Sequence, residues 1–320
     1  MNEMRAAQYD IYGPPEVLRI GTVPVPRLRP GHVLVRVAAS SINGADTAIR
    51  SGKLKLVSGR AFPRGAGFDF AGEVVEAASD VQGLAAGDEV WGFVNGVRDP
   101  GPSGAAADYI LAPAKDTVLR PRSVNAVEAA ALSGVGASVI GILRDHVRLR
   151  HGERVLVRGA NGGVGTAAVQ VARALGGQVI ALAGPAHLDR LRNLGAEQAF
   201  DYHTTDPRGL GRFDVILDPV GRNMRPYRHL LAPGGRMAAM AIGSPADIAY
   251  LVASRIHGGR RVRFIQSPAT GTLLTSLAEY VDNKSVLPVV DSVYPLEDIA
   301  TAHRSMEKSG GFGKRVIQMA

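Results

Sequence analysis

At 320 residues the chain is too long for one compact core and long enough for two domains. Its 46% apolar and 21% charged residues are those of an ordinary soluble protein, and the absence of cysteine excludes disulfides, thiolate nucleophiles and Cys-ligated zinc. The net charge of +8 is mostly arginine spread along the chain. Its one local concentration (Arg255, His257, Arg260, Arg261, Arg263) carries no aromatic interleaving or nucleic-acid motif, so it reads as a solvated loop and no nucleic-acid partner is expected.

Residues 1–5 lead into a strand-like Ala6-Ala7-Gln8-Tyr9 without an apolar signal core. The longest uncharged run, 129–143, falls short of the roughly 18 residues of a membrane span and is broken by glycines. A cytoplasmic protein with no membrane partner is the expectation. Residues 1–122 then alternate short β-rich runs (33–38, 71–76, 89–93, 107–111) with Gly and Pro turns, the pattern of a small, partly open β-barrel. Ser123 is a plausible N-cap for a helix beginning there.

The centre of the chain is a strand, 155–157, followed by Gly159-Ala160-Asn161-Gly162-Gly163-Val164-Gly165 and then by apolar residues at helical spacing (Val164, Ala168, Val171, Ala172, Leu175) up to Gly176-Gly177. Strand, glycine turn and helix make the first half of a dinucleotide-binding unit: the glycines permit the turn, bring backbone to pyrophosphate and pack helix on strand. The phosphates sit on the unpaired N–H groups of the new helix. Further strands at 178–183, 213–218 and 236–240, the last entered through Pro233-Gly234-Gly235, and a helix at 187–194 continue the βα pattern.

An NAD site places an acid at the end of the second strand to hold the ribose 2′-OH, whereas here that end is Leu182-Ala183-Gly184-Pro185. The missing carboxylate points to NADPH. His187, Arg190 and Arg192 are candidate partners of the 2′-phosphate, each equally readable as part of a solvated helix face. Beyond residue 263 come an amphipathic helix at 273–281, a strand at 287–290, a helix at 296–306 and a last strand at 315–319.

Taken in order, Ser41-Ile42-Asn43-Gly44-Ala45-Asp46, Gly67-Phe68-Asp69-Phe70-Ala71-Gly72, Gly87-Asp88-Glu89-Val90-Trp91-Gly92-Phe93, Ala129-Ala130-Ala131-Leu132, the glycine turn, Leu217-Asp218-Pro219-Val220-Gly221 and Tyr294-Pro295-Leu296-Glu297-Asp298 resemble the zinc-free medium-chain dehydrogenase/reductases of the quinone oxidoreductase (zeta-crystallin-like) group. The resemblance covers essentially the whole chain. It implies an α/β fold: a Rossmann doubly wound parallel sheet at 123–263, and a GroES-like β-barrel substrate domain at 1–122 to which 264–320 returns. It implies NADPH held by Gly159, Ala160, Asn161, Gly162, Gly163, Val164, Gly165, Gly184, His187, Tyr202, Val220, Ile242, Gly243, Phe264 and Ile265.

Zinc-dependent relatives hold their metal at positions matched here by Asn43 and Phe68, and no histidine pair replaces the set, so no metal is expected. Without a Lewis acid the acceptor is one that takes hydride with modest help, a quinone or an α,β-unsaturated carbonyl. By resemblance the catalytic candidates are Asn43, at the nicotinamide end of the cleft, and Ser138, in the place of a nicotinamide-facing Thr. The alternatives are an Asn bonding its own loop and a Ser bonding back to the preceding helical turn. Several relatives carry a Tyr where this chain has Ala48, which implies a wider or less aromatic substrate pocket. A lipid-enone or alkenal double-bond reductase and a non-catalytic NADPH-binding regulatory protein stay open beside the quinone reading. The strand at 236–240, with Ile242, Ile248, Ala249, Leu251 and Val252 after it, is expected to be a sheet edge that pairs across the two-fold axis of a homodimer.

Overall fold

The computed structural model describes residues 2–59, 61–94, 103–256, 262–308 and 310–319. Of the basic cluster expected near 255–263, residues 257–261 lie outside the described residues. The chain forms two compact units, one of residues 1–137, 268–283 and 288–320, the other of 138–267 and 284–287. The division falls inside a helix at 137/138 rather than ahead of it at 123.

The first unit begins with β1 (Glu3–Tyr9), β2 (Arg19–Pro24), β3 (His32–Ser41), α1 (Gly44–Arg50), α2 (Lys55–Ser58), β4 (Arg64–Gly65), β5 (Asp69–Ala77), β6 (Glu89–Phe93), β7 (Tyr109–Pro113) and β8 (Thr117–Leu119). After β8 comes α3 (Ala126–Ile140), which continues as a π-helical turn to His146. The asparagine after the expected cap starts α3: Asn125 and Glu128 exchange bonds of 2.9 and 3.0 Å in a capping box, whereas the Ser123 hydroxyl donates to Asp282. Residues Ala126–His146 are long and apolar enough to cross a membrane, but 78% of the qualifying window is buried within the protein. This is a core helix in the fold as described.

The second unit holds β9 (Arg154–Arg158), α4 (Gly163–Ala174), β10 (Gln178–Ala183), α5 (Leu188–Asn193), β11 (Gln198–Asp201), β12 (Phe213–Asp218), α6 (Met224–Arg228), β13 (Leu231–Ala239), α7 (Pro245–Ile256) and β14 (Val262–Phe264). The six strands form one parallel sheet in the order β11-β10-β9-β12-β13-β14, which reverses direction of winding between β9 and β12. Its central strands are continuous apolar runs, as burial on both faces demands. Residues 232–235 drop out of the pairing between β12 and β13, so the expected Pro-Gly-Gly turn is a bulge inside a longer strand.

The expectation that 236–240 is a sheet edge is corrected by this topology. β13 lies between β12 and β14, and the Arg236 guanidinium is anchored to Glu153 and to the carbonyls of Val147 and Arg148, all at 2.8 Å. The short β14 escaped notice because three residues give no usable periodicity, and it takes the edge instead.

The chain then returns to the first unit with α8 (Gly271–Asp282), β15 (Val290–Pro295), α9 (Ile299–Glu307) and β16 (Lys314–Gln318). The expected strand at 287–290 starts at Val290: the Leu287 backbone is held by the Gln170 side chain, which occupies both its N–H and its carbonyl. β15 and β16 complete a seven-stranded sheet, β15-β16-β3-β5-β6-β8, with β7 also pairing β3. Its core gathers Val33, Val35, Phe70, Val74, Val90, Ile110, Ile299 and Ile317.

Candidate active site

All six strands of the second unit run the same way, so the loops at their carboxyl ends share one edge of the sheet. The turn 159–165 follows β9, Gly184 and His187 follow β10, and Tyr202 follows β11. Val220 follows β12, Ile242 and Gly243 follow β13, and Ile265 follows β14, whose last residue is Phe264. The fifteen residues named from the sequence for the cofactor therefore come from one edge, across the point where the strand order reverses.

Gly162 is the N-cap of α4 and no side chain caps it, so the first amides of a 12-residue helix stay available at its positive end. Gly159 has φ of +56°, a left-handed conformation that suits glycine. At Gly165 a Cβ would stand 2.3 Å from the Gly159 carbonyl oxygen, so helix and turn meet only because that carbon is missing. A Cβ on Gly162 would meet only the same oxygen, at 3.6 Å. This is a cradle for a pyrophosphate. Ala160 does not belong to its lining: the side chain is fully buried and the N–H donates to Leu182 O at 3.1 Å. The sequence pattern could not separate it from its neighbours, because packing decides which turn residue faces inward.

Around the cradle, Val220 lies against Gly159 and is itself held by Asp218, whose Oδ1 accepts from the Val220 and Gly221 amides at 3.0 and 3.2 Å. Asp218 is buried beside Arg158 at 2.5 Å, and burial, opposed by that guanidinium, raises its carboxyl above the ordinary range. Arg158 also stacks 3.8 Å above the Tyr227 ring centroid. The Gly243 N–H donates to Gly221 O, tying the loops after β12 and β13 together. Tyr202 is exposed, packs on His203 with centroids 4.0 Å apart and stands beside Gly184.

The residues suggested for the 2′-phosphate fare unevenly. His187 is buried in the fold, and Arg192 is engaged by Asp189 at 2.5 Å and by Ala199 O. One carboxylate does stand near the end of β10: Asp201 is opposite Ala183 on β11, with its Oδ1 turned back to accept the His203 N–H at 2.9 Å.

The first unit holds a buried polar cluster that the sequence reading touched only through Asn43. Antiparallel register puts Ser41 opposite both Asp69 of β5 and Val316 of β16, which brings in Lys314 two residues earlier. Asp69 is fully buried. Its Oδ2 accepts from Ser41 Oγ (2.8 Å) and Asn43 Nδ2 (2.6 Å), and its Oδ1 from Ser133 Oγ (3.0 Å) and Gly134 N (2.7 Å). A Cβ on Gly134 would stand 2.4 Å from that Oδ1, so glycine is required there. The Lys314 ammonium donates to Asn43 Oδ1 at 2.7 Å and Ile42 O at 3.0 Å and lies 3.5 Å from Asp69.

Asn43 also begins α1, where its N–H donates to Asp46 Oδ2 at 2.8 Å. Burial pushes the Asp46 carboxyl up to about 6 against the Asn43 backbone bond and the Lys314 charge. The Asn43 side chain bonds its own turn in a capping box with Asp46, and both ends of its amide also reach distant chain. Ser138 does not bond back to the preceding turn; its hydroxyl donates to Ser267 O at 2.8 Å.

Phe68, at the other position matched to a zinc ligand, stacks on Phe93 with centroids 5.6 Å apart and offers no donor atom. Among the described residues no group of three His, Asp or Glu side chains is placed to hold a metal ion. With no cysteine in the chain, these residues do not compose a zinc site.

Two family descriptions match the chain: alcohol dehydrogenase GroES-like domain over residues 29–122 and zinc-binding dehydrogenase over residues 194–317. The chain is 30% identical over 325 residues to 2-methylene-furan-3-one reductase of Solanum lycopersicum, covering 99% of this chain and 79% of that protein. It is 30% identical over 325 residues to the chloroplastic NADPH-dependent alkenal/one oxidoreductase of Arabidopsis thaliana, covering 98% and 79%. The solved quinone oxidoreductase of Coxiella burnetii superposes with a TM-score of 0.88 at 28% identity, over 99% of this chain and all of the other. A GroES-like barrel and a Rossmann sheet, with no donor set for zinc and with relatives of this kind along the whole length, place the chain in the zinc-free medium-chain dehydrogenase/reductase family, in its quinone oxidoreductase group.

Proposed function

We propose that the protein is an NADPH-dependent reductase of quinones or of carbon–carbon double bonds conjugated to a carbonyl. The observation that carries this is the uncapped glycine cradle at the reversal point of the parallel sheet. The names of the relatives, an enone reductase and an alkenal/one oxidoreductase, support the substrate class.

In this reading Gly163 and Val164 hold the pyrophosphate through backbone N–H groups, and the absent Cβ of Gly162 lets it approach. Tyr202 and Gly184 border the adenosine end, while Val220, Ile242, Gly243, Phe264 and Ile265 border the rest from the same edge. Ser138 keeps acceptor capacity on its oxygen and can take a carboxamide N–H. Bound NADPH supplies a hydride. By the family resemblance, Asn43 is the side chain that hydrogen-bonds the acceptor's oxygen, where the negative charge collects. The proton that completes the reduction comes from water.

Incubation with NADPH and a panel of quinones, 2-alkenals and cyclic enones tests the proposal by loss of absorbance at 340 nm. Turnover of at least one member is expected; tight NADPH binding with no turnover of any supports the regulatory alternative instead. A homodimer belongs to the same proposal, with its seam moved to β14, where Phe264 is 40% exposed and Ile248 and Val252 of α7 are 51% and 56% exposed.

A further inference from the structure

A cavity of about 710 Å³ opens in the second unit, lined by residues 206–208, 211–212, 223, 225–226 and 229–230. That volume suits a small organic molecule. Its place follows from chain order. β12 begins at Phe213 and β13 at Leu231, so Arg212 and Leu230 stand at the amino ends of these two parallel strands. The glycine cradle sits at the carboxyl ends, so the cavity is a separate site.

Its charge is one-sided. Arg208, Arg212, Arg225 and His229 line it against a single carboxylate, Asp206, one oxygen of which accepts the Arg208 N–H at 2.9 Å. Elsewhere in the same unit Arg154, Arg158, Arg192 and Arg236 are each tied to a carboxylate or a carbonyl. The side chains of Arg208, Arg225 and His229 have no partner among the described residues. Arg212 spends one nitrogen on the carbonyls of His229 and Leu231 and keeps its other two. Unpaired cations gathered in one cleft repel one another, and an anion relieves that repulsion. The guanidinium fork matches phosphate oxygens in particular. Pro207, Pro226 and Leu230 add apolar wall, which a bare ion would not use.

We infer that this cavity binds a small phosphate monoester. Arg208, Arg212 and Arg225 take the phosphate, and the organic part lies on Pro207, Pro226 and Leu230. The inference goes beyond the reductase reading and does not rest on it.

Calorimetric titration of the full chain, with NADPH present in excess to fill the cradle, tests it. The probes are glucose 6-phosphate, adenosine 5′-monophosphate and 3-phosphoglycerate, each beside its dephosphorylated parent and beside inorganic phosphate. At least one monoester is expected to bind roughly tenfold or more tighter than its parent and than inorganic phosphate. Arg208→Ala combined with Arg225→Ala is expected to weaken that binding by roughly tenfold or more. Both side chains are exposed and unpartnered, so the melting temperature of this variant without ligand stays at the wild-type value.

No binding of any monoester, or a parent or inorganic phosphate that binds as tightly, overturns the inference. So does an equal loss in Arg27→Ala combined with Arg122→Ala, which removes the same charge from exposed positions outside the cavity. A single-stranded oligonucleotide that binds with the same arginine dependence while no monoester does also overturns it, and makes this face a polyanion contact.

Discussion

Gly165 is so close to Gly159 that the two share the space one methyl group would fill, with 2.3 Å between the position of a Gly165 Cβ and the Gly159 carbonyl oxygen. Gly162, three residues before, has room for that methyl within the protein. The two glycines therefore differ in what they do. Gly165→Ala is expected to cost about 1–3 kcal/mol of stability through displaced helix and turn. Gly162→Ala is expected to leave stability within about 0.5 kcal/mol while weakening NADPH binding roughly tenfold or more, because its methyl enters the phosphate's approach. Denaturant titration and cofactor titration of both variants separate the effects; equal destabilisation would contradict the assignment.

Cofactor choice follows from the bare end of β10. NADPH is expected to bind more tightly than NADH, since Ala183 and Gly184 offer no carboxylate and Asp201 is turned back to the His203 N–H. Gly184 has φ of −71°, which any residue adopts, and a Cβ there meets only Tyr202 at 3.9 Å. Gly184→Asp is expected to swing the preference toward NADH by about tenfold, or 1.4 kcal/mol. An unchanged ratio of dissociation constants would mean that the 2′-position lies elsewhere.

Buried His303 gives the fold an acid sensitivity. Burial, helped by the nearby Arg50 charge, holds its imidazole down to about 3, against 6.5 when unfolded. A depressed folded value means stability is complete above pH 6.5 and is lost as pH falls toward 3. Asp46, raised to about 6, works in the opposite sense: its contribution improves as pH falls from 6 toward 4. Wild type is thereby partly buffered. His303→Leu removes one of the two, so its stability relative to wild type is expected to grow by on the order of 3 kcal/mol between pH 7 and pH 4. A pH-independent difference in urea unfolding would contradict this.

Assembly is expected to use the β14 edge. Val252→Glu combined with Ile248→Glu puts charge on two exposed apolar positions of α7 and is expected to convert a dimer to a monomer in light scattering, with NADPH affinity kept within about twofold. A wild-type monomer at every concentration would remove the dimer from the account.

The sequence made the nucleotide-binding unit legible because a glycine turn between a buried strand and an amphipathic helix is a local signal. β10 and β12 lie where periodicity puts them. What escaped is non-local. Lys314 meets Asn43 across 271 positions and Asp69 across 245, a contact made by β-sheet register and invisible to any window. Asp69 stood in a matched motif, yet nothing nearby showed that its partners would be Ser41, Ser133 and Lys314. The misplaced sheet edge has the same origin: a strand of 236–240 looks terminal until the three residues of β14 are found beside it.

Isotope transfer tests the central claim most directly. The two forms of NADPH carrying deuterium on opposite faces of C4 are each given with the best enone of the panel, and the product is weighed by mass spectrometry. The account predicts that one form delivers a single deuterium to the product carbon and the other delivers none, with the second hydrogen drawn from solvent. A reduced product free of deuterium from both forms, or no reduced product while NADPH stays bound, would contradict it.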